Sequence, residues 1–167
     1  MKALINLFWQ ICLLRQSPAA VPANGSFVAV VVAANLLCSM LVSRGFGSEI
    51  SMVTTAASIL VGHATTAGMV WLALYWAGKA DRFITAITAI FGCDLIITAC
   101  FSLLIPLNAA VGSTVSGIIL MLFMVWSIAV AGFILHRAMD VRFGAGVALA
   151  VGISLFSVIV GQAAVGA

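Results

Sequence analysis

Five long apolar runs dominate the pattern of hydrophobic and polar positions along this chain. Each run approaches or exceeds the ~20 residues that an α-helix needs to cross the hydrocarbon core of a bilayer, and none alternates as strands do. The connections are short, so consecutive helices are antiparallel. The pattern predicts an all-α integral membrane protein with five transmembrane helices, approximately at Ser26–Val42, Met52–Ala77, Phe83–Ile105, Ser113–Leu135 and Phe143–Val165.

A shorter amphipathic segment, MKALINLFWQICLLRQ, precedes these runs. Its polar residues Lys2, Asn6 and Gln10 recur every four positions and form a narrow stripe on an otherwise apolar helix. About fourteen helical residues reach only ~21 Å, less than the ~30 Å hydrocarbon core. We therefore expect a helix that lies flat in the cytoplasmic interface. The apolar side chains expected to face the acyl chains are Leu4, Leu7, Phe8, Ile11 and Leu14.

The alternative interpretation of this segment is a signal peptide cleaved near Ala20 or Ala23. Two amides inside its apolar core and Arg15 beyond that core argue against a signal peptide. The prolines that follow then break the helix and turn the chain into the bilayer. The expected organisation is an interfacial helix with a Pro-containing linker in residues 1–25 and a transmembrane domain in residues 26–167.

Composition excludes several classes of protein. Of 167 residues, 65% are apolar and 7% charged, whereas soluble domains are about half apolar and about a quarter charged. The net charge of +3 is too sparse for a nucleic-acid surface. The sequence contains no GxSxG, Walker or GxGxxG motif, and its four cysteines lack CxxC spacing. We therefore predict no enzyme activity, no cofactor and no metal site.

Basic residues predict the orientation of the helices. A cytoplasmic N-terminus places six of the seven on the cytoplasmic side and leaves Arg44 outside. The expected topology is N-in and C-out, with the turn Pro106–Gly112 and Ala167 outside. The expected location is the bacterial cytoplasmic (inner) membrane.

Two short cytoplasmic turns, residues 78–82 and 136–142, carry most of the charge. Each contains two fixed positive charges and one carboxylate, which suggests a surface for anionic lipids or for a protein partner. The alternative is that these turns only anchor the topology, with His136 as a solvated loop residue. The candidate lipid-facing or partner-facing residues are Lys79, Arg82, Arg137 and Arg142.

His63 and Asp94 are the two ionisable exceptions in the hydrophobic interior, where such side chains are costly. Counted from Ala80 in the turn between their helices, the two residues lie at depths of ~25 and ~21 Å, less than one helical turn apart. A hydrogen bond between them near the midplane is therefore geometrically possible. A structural polar bond is favoured, and a role in proton movement or polar-ligand binding is the alternative.

Small residues recur at four-residue spacing on two of the predicted helices. One stripe contains Ser58, Gly62 and Thr66, and the other lies on the last helix. Small side chains let transmembrane helices approach closely, which explains both stripes without a ligand. The second stripe consists of Gly144, Ala148 and Gly152.

The segments GKADRFITAITAIFGCDLIITACFSLLIP and VWSIAVAGFILHRAMDVRFGAGVALAV resemble the Yip1 family of small membrane proteins. The resemblance rests on a Gly-Lys turn before Phe83, on Trp126 in the fourth helix, and on a polar turn before an Ala/Gly-rich fifth helix. It implies five spans, a cytoplasmic N-terminus and a non-enzymatic role. Eukaryotic members are associated with vesicle traffic, small GTPases and membrane shaping.

Three functions are compatible with these features. The first is a non-catalytic scaffold or accessory subunit that packs in the bilayer, as a homo-oligomer or as part of a larger membrane complex, among membrane lipids. The second is a small transporter or proton pathway centred on His63 and Asp94, which needs a polar route to each face. A membrane enzyme ranks third, because two isolated ionisable residues are a thin basis for catalysis.

Overall fold

The computed structural model describes residues 2–22, 24–45, 51–104, 113–164 and 166. These residues form helices and turns without a β-strand, as the sequence predicts. Five of the helices are long and apolar enough to cross a membrane. The six α-helices of the described residues are α1 (Lys2–Cys12), α2 (Gly25–Gly45), α3 (Met52–Trp76), α4 (Phe83–Ser102), α5 (Ser113–Met139) and α6 (Phe143–Ala163).

Local sequence signals fix several of the helix ends. The Ser51 hydroxyl accepts a hydrogen bond from the Thr54 amide and caps the start of α3. At the end of α3, Gly78 has a φ of +69°, and the next amide, that of Lys79, bonds to the Leu74 carbonyl. Glycine favours this left-handed conformation because it has no Cβ.

Helix α5 ends in the same way at Asp140, whose φ is +56°. The Val141 amide then bonds to the His136 carbonyl. The helix therefore continues four residues beyond the predicted end at Leu135. The interpretation of His136 as a solvated loop residue is wrong, because this residue lies in the last helical turn and its Nδ1 contacts the Val141 carbonyl.

Helix α4 lies at the centre of the bundle and is the most buried of the five long helices. It packs against α1, α2 and α5, while α6 packs against α5 and α3. The turns after α3 and after α5 meet at one end of the bundle, which we call the charged end. Arg44 lies at the opposite end, where its guanidinium contacts the sulfur of Met52 at the start of α3.

Helix α1 packs against protein along one face. Phe8 is 6% exposed and Ile11 is 0% exposed, so the expectation that these two side chains face acyl chains is wrong. The Phe8 ring lies against Gly92, where a Cβ would come within 2.4 Å of it. The Trp126 indole donates a hydrogen bond of 2.9 Å to the Cys12 carbonyl. The missing side chain at Gly92 thus leaves room for α1 beside the middle of α4.

The first stripe of small residues lies at a helix interface, as predicted. A Cβ on Gly161 of α6 would lie 3.1 Å from the Ser58 carbonyl oxygen, and the hydroxyls of Thr66 and Ser157 are 2.8 Å apart. The second stripe lies at no interface among the described helices, because all three of its residues are exposed. The buried face of α6 lies two residues further along, at Gly146, Ala150, Ile153, Ser157 and Gly161.

This face of α6 is buried because α5 and α6 cross closely. A Cβ on Gly146 would lie 2.4 Å from the Gly132 carbonyl oxygen. Only glycine fits at that point, so Gly146 rather than Gly144 faces α5. The predicted turn Pro106–Gly112, Glu49 and the chain end at Ala167 lie outside the described residues.

Candidate functional site

A buried polar cluster connects three of the long helices near their middles. Its centre is Asn35 of α2, which is 0% exposed. The Asn35 amide nitrogen donates to Asp94 Oδ2 of α4 at 2.9 Å and to the Phe91 carbonyl at 3.1 Å. The Asn35 carbonyl oxygen lies 2.8 Å from His63 Nε2 of α3. One side-chain amide thus joins α2, α3 and α4.

Two oxygen atoms lie close to the ring nitrogens of His63. Its Nδ1 lies 2.9 Å from the Ile59 carbonyl oxygen, one turn earlier on α3. Its Nε2 lies 2.8 Å from the Asn35 side-chain oxygen, while the Asn35 nitrogen faces Asp94 and the Phe91 carbonyl. Both ring nitrogens of His63 are therefore within hydrogen-bond distance of an oxygen atom.

Asp94 accepts hydrogen bonds from two other helices. Oδ2 accepts from the Asn35 amide, and Oδ1 accepts from the Ser127 hydroxyl of α5 at 3.5 Å. The Asn35 side chain thus lies between the two ionisable residues and contacts both of them. The His63 ring also stacks on Phe91, with centroids 4.7 Å apart and planes 4° apart.

The sequence predicts His63 and Asp94 at one depth, and the structure brings both into this cluster. Their connection runs through Asn35, because the two nitrogens of His63 bond to Asn35 and to Ile59. Sequence reasoning missed Asn35 because it considered ionisable side chains only. An available signal was that Asn35 is the one amide in the apolar run of α2.

A cavity of about 160 Å³ adjoins the cluster between α3, α4, α5 and α6. His63, Asp94 and Ser127 supply polar atoms to its wall. A second groove, of about 270 Å³, shares His63 with this cavity and follows α3 and α6 to Ser58 and Gln162. Polar groups therefore lead from the cluster towards the end of the bundle that carries Arg44.

Between the cluster and the charged end lie apolar side chains of α3 and α5. Four of them are at most 1% exposed, and we call this set the apolar layer. It consists of Val70, Leu74, Ile134 and Leu135. The polar cluster is thus approached from one end of the bundle and sealed from the other.

At the charged end, Asp140 joins the two charged turns. Its carboxylate lies 3.0 Å from Lys79 Nζ and 2.9 Å from Arg82 Nη1. The hydrogen bond from Lys79, and then that from Arg82, hold the pKa of Asp140 below its ordinary value. Arg82 Nη1 also donates to the Ala138 carbonyl at 3.1 Å.

The other two predicted basic residues of these turns have different surroundings. The Arg137 guanidinium lies over the Phe133 ring, 5.6 Å from its centroid. Arg142 occupies the N-cap position of α6 and makes no side-chain capping bond there. Two of the four candidate residues are therefore engaged by Asp140, and Arg137 remains on the surface of its helix.

Comparison with known proteins adds no assignment to this geometry. No family model matches the sequence, and neither a curated protein nor a solved structure resembles it at a significant level.

Proposed function

We propose that this integral membrane protein binds and exchanges a proton at the Asn35–His63–Asp94 cluster, as part of a small transporter or proton pathway. The observation that carries the proposal is the hydrogen-bond pattern of His63. Both ring nitrogens lie within hydrogen-bond distance of carbonyl oxygens. In the proposed resting state a mobile proton resides on His63, with its counter-charge on Asp94. Ionisable groups at this depth are characteristic of proton relays and substrate sites.

A second state of the cluster is reached by moving that proton from His63 to Asp94. The Asn35 side chain then rotates, so that its nitrogen donates to His63 Nε2 and its oxygen accepts from the protonated Asp94. This state is less favourable, because the Asn35 oxygen would face the Phe91 carbonyl oxygen that now accepts from its amide. The proposed relay therefore uses two proton positions with different free energies.

The groove supports entry from the end of the bundle that carries Arg44. Ser58 provides a hydroxyl and Gln162 an amide between that end and His63. Release at the charged end requires the apolar layer to open, since its side chains leave no polar group for a proton to follow.

The test is proton flux into liposomes that contain the purified protein and an entrapped pH-sensitive dye. An imposed pH gradient should collapse faster with the wild-type protein than in empty liposomes. Asp94→Asn keeps a hydrogen-bonding side chain but removes the charge, so it should reduce flux at least tenfold while the protein stays folded. Flux through folded Asp94→Asn protein at the wild-type rate would contradict the proposal.

Thr65→Val is the matched control. Thr65 lies two residues from His63, and its hydroxyl bonds to the Val61 carbonyl of its own helix at 2.8 Å. The substitution removes a hydroxyl at the same depth without touching the cluster. It should therefore leave flux within about twofold of the wild-type value.

A scaffold or accessory subunit of the Yip1 type is the second candidate. The exposed stripe Gly144, Ala148 and Gly152 of α6 supports it, because small residues allow a second helix to approach closely. Copurification in mild detergent followed by mass determination tests this role. A defined assembly that Ala148→Leu disrupts would support it, and a monomeric mass with no bound subunit would contradict it.

A further inference from the structure

A groove at the charged end combines basic side chains with a polar and an apolar wall. It encloses about 390 Å³ between the turn at Pro18–Ala20, the first turn of α4 and the end of α5. Arg82 and Arg137 line it on one side, and Ser17 and Thr85 supply hydroxyls. We call this site the Arg137 groove.

The balance of charge in and around the groove favours an anion. Asp140 is its acidic member and is already paired with Lys79 and Arg82. The described hydrogen bonds of Arg82 all start from Nη1, although a guanidinium carries five N–H donors on three nitrogens. The Arg137 guanidinium lies over the Phe133 ring, 5.6 Å from its centroid, and no hydrogen bond from this guanidinium is among those described.

Aromatic residues at the same end place the groove at the level of lipid headgroups. Trp71, Tyr75 and Trp76 end α3 beside the charged turn and are 47%, 60% and 83% exposed. Exposed Trp and Tyr of a transmembrane helix concentrate at the membrane–water interface. The Arg137 groove therefore opens where phosphodiester groups are most concentrated. Leu13 and Leu14, which are each 39% exposed, lie just before its Ser17 wall and offer a surface for an acyl chain.

We propose that the Arg137 groove binds the phosphodiester headgroup of an anionic phospholipid, with Arg82 and Arg137 as its donors. Guanidinium groups form paired hydrogen bonds to phosphate oxygens, which gives the site its chemical preference. The bound lipid connects the N-terminal turn to α4 and α5. It thereby holds α1 in its position beside Gly92.

The experiment is a titration of the delipidated protein in detergent with phosphatidylglycerol, followed by native mass spectrometry. Arg137→Gln removes one donor and leaves the Asp140 bridges in place, so the fold should persist. It should weaken phosphatidylglycerol binding roughly tenfold, equivalent to about 1.4 kcal/mol. Arg137→Lys restores the charge without the planar pair of donors and should recover part of that loss.

Arg44→Gln is the matched control, because it removes the same charge at the other end of the bundle and should change binding less than about twofold. Phosphatidylcholine and inorganic phosphate are the competing ligands. Equal loss of binding in Arg137→Gln and Arg44→Gln would overturn the site, as would equal affinity for phosphatidylcholine. Displacement of phosphatidylglycerol by low millimolar inorganic phosphate would overturn the lipid assignment in favour of a free anion.

Discussion

Replacement of Asn35 is the most direct perturbation of the buried cluster. Asn35→Leu keeps the branched shape of the side chain but removes both the amide nitrogen and the carbonyl oxygen. His63 Nε2 then loses its acceptor, and Asp94 loses the donor to Oδ2. The Phe91 carbonyl also loses a hydrogen bond. Two ionisable side chains are left in the interior without the group that joined them.

The expected loss of stability follows from these three bonds. A buried polar group that loses its partner costs about 1–3 kcal/mol, so His63 and Asp94 together lose about 2–6 kcal/mol. Hydrogen bonds within membrane proteins average ~0.6 kcal/mol each, and three such bonds give ~2 kcal/mol as the lower limit. We therefore predict that Asn35→Leu lowers the free energy of unfolding by about 2–6 kcal/mol.

The assay is equilibrium unfolding in mixed micelles of a mild detergent and dodecyl sulfate, followed by tryptophan fluorescence. Trp126 is a suitable reporter, because its indole bonds to the Cys12 carbonyl and senses whether α1 stays in place. Thr65→Val serves again as the control at equal depth, with an expected change below about 0.5 kcal/mol. A double-mutant cycle of Asn35→Leu with Asp94→Leu then isolates their coupling.

The two substitutions should be less destabilising together than the sum of their separate effects. In the double variant no Asp94 carboxyl is left without its Asn35 donor, so part of the cost of Asn35→Leu disappears. Asn35→Leu protein as stable as the Thr65→Val control would refute the reasoning. Strict additivity in the cycle would show that Asn35 and Asp94 do not interact.

Three further predictions concern other parts of the bundle. The pKa of Asp140 is lowered, so its ion pairs stabilise the fold above its ordinary pKa, and this contribution is lost as the pH falls through the lowered value. The unfolding temperature of Asp140→Asn should therefore fall less at acid pH than that of the wild-type protein. The same dependence of the unfolding temperature on pH in both proteins would contradict this role of Asp140. Gly146→Ala should lower the free energy of unfolding by about 1–3 kcal/mol, because the added Cβ overpacks the crossing of α5 and α6. Gly144→Ala should leave this free energy unchanged, because no atom lies within 4 Å of the added Cβ. Equal free energies of unfolding for the two variants would contradict the close crossing of α5 and α6. A cysteine added after Ala167 should label from the non-cytoplasmic side, and labelling from the cytoplasm would contradict the N-in and C-out topology.

The sequence by itself determined the helical class, the five apolar helices and several of their ends. These properties are local. The length and hydropathy of a run decide whether it can cross a bilayer. Ser51 begins α3 and Gly78 ends it through hydrogen bonds between residues that are close in sequence. The depths of His63 and Asp94 were equally accessible, because the rise of a helix per residue is fixed.

The tertiary structure decided which faces of the helices meet. In a nearly all-apolar helix every face is compatible with lipid, so hydropathy does not reveal the side that packs against protein. Close contacts between residues distant in sequence make that choice: Gly92 admits Phe8, Gly146 crosses Gly132, and Asn35 of α2 reaches Asp94 of α4. The rotation of each helix about its axis is therefore set by its neighbours, and this rotation turns a pair of ionisable residues at equal depth into one connected cluster.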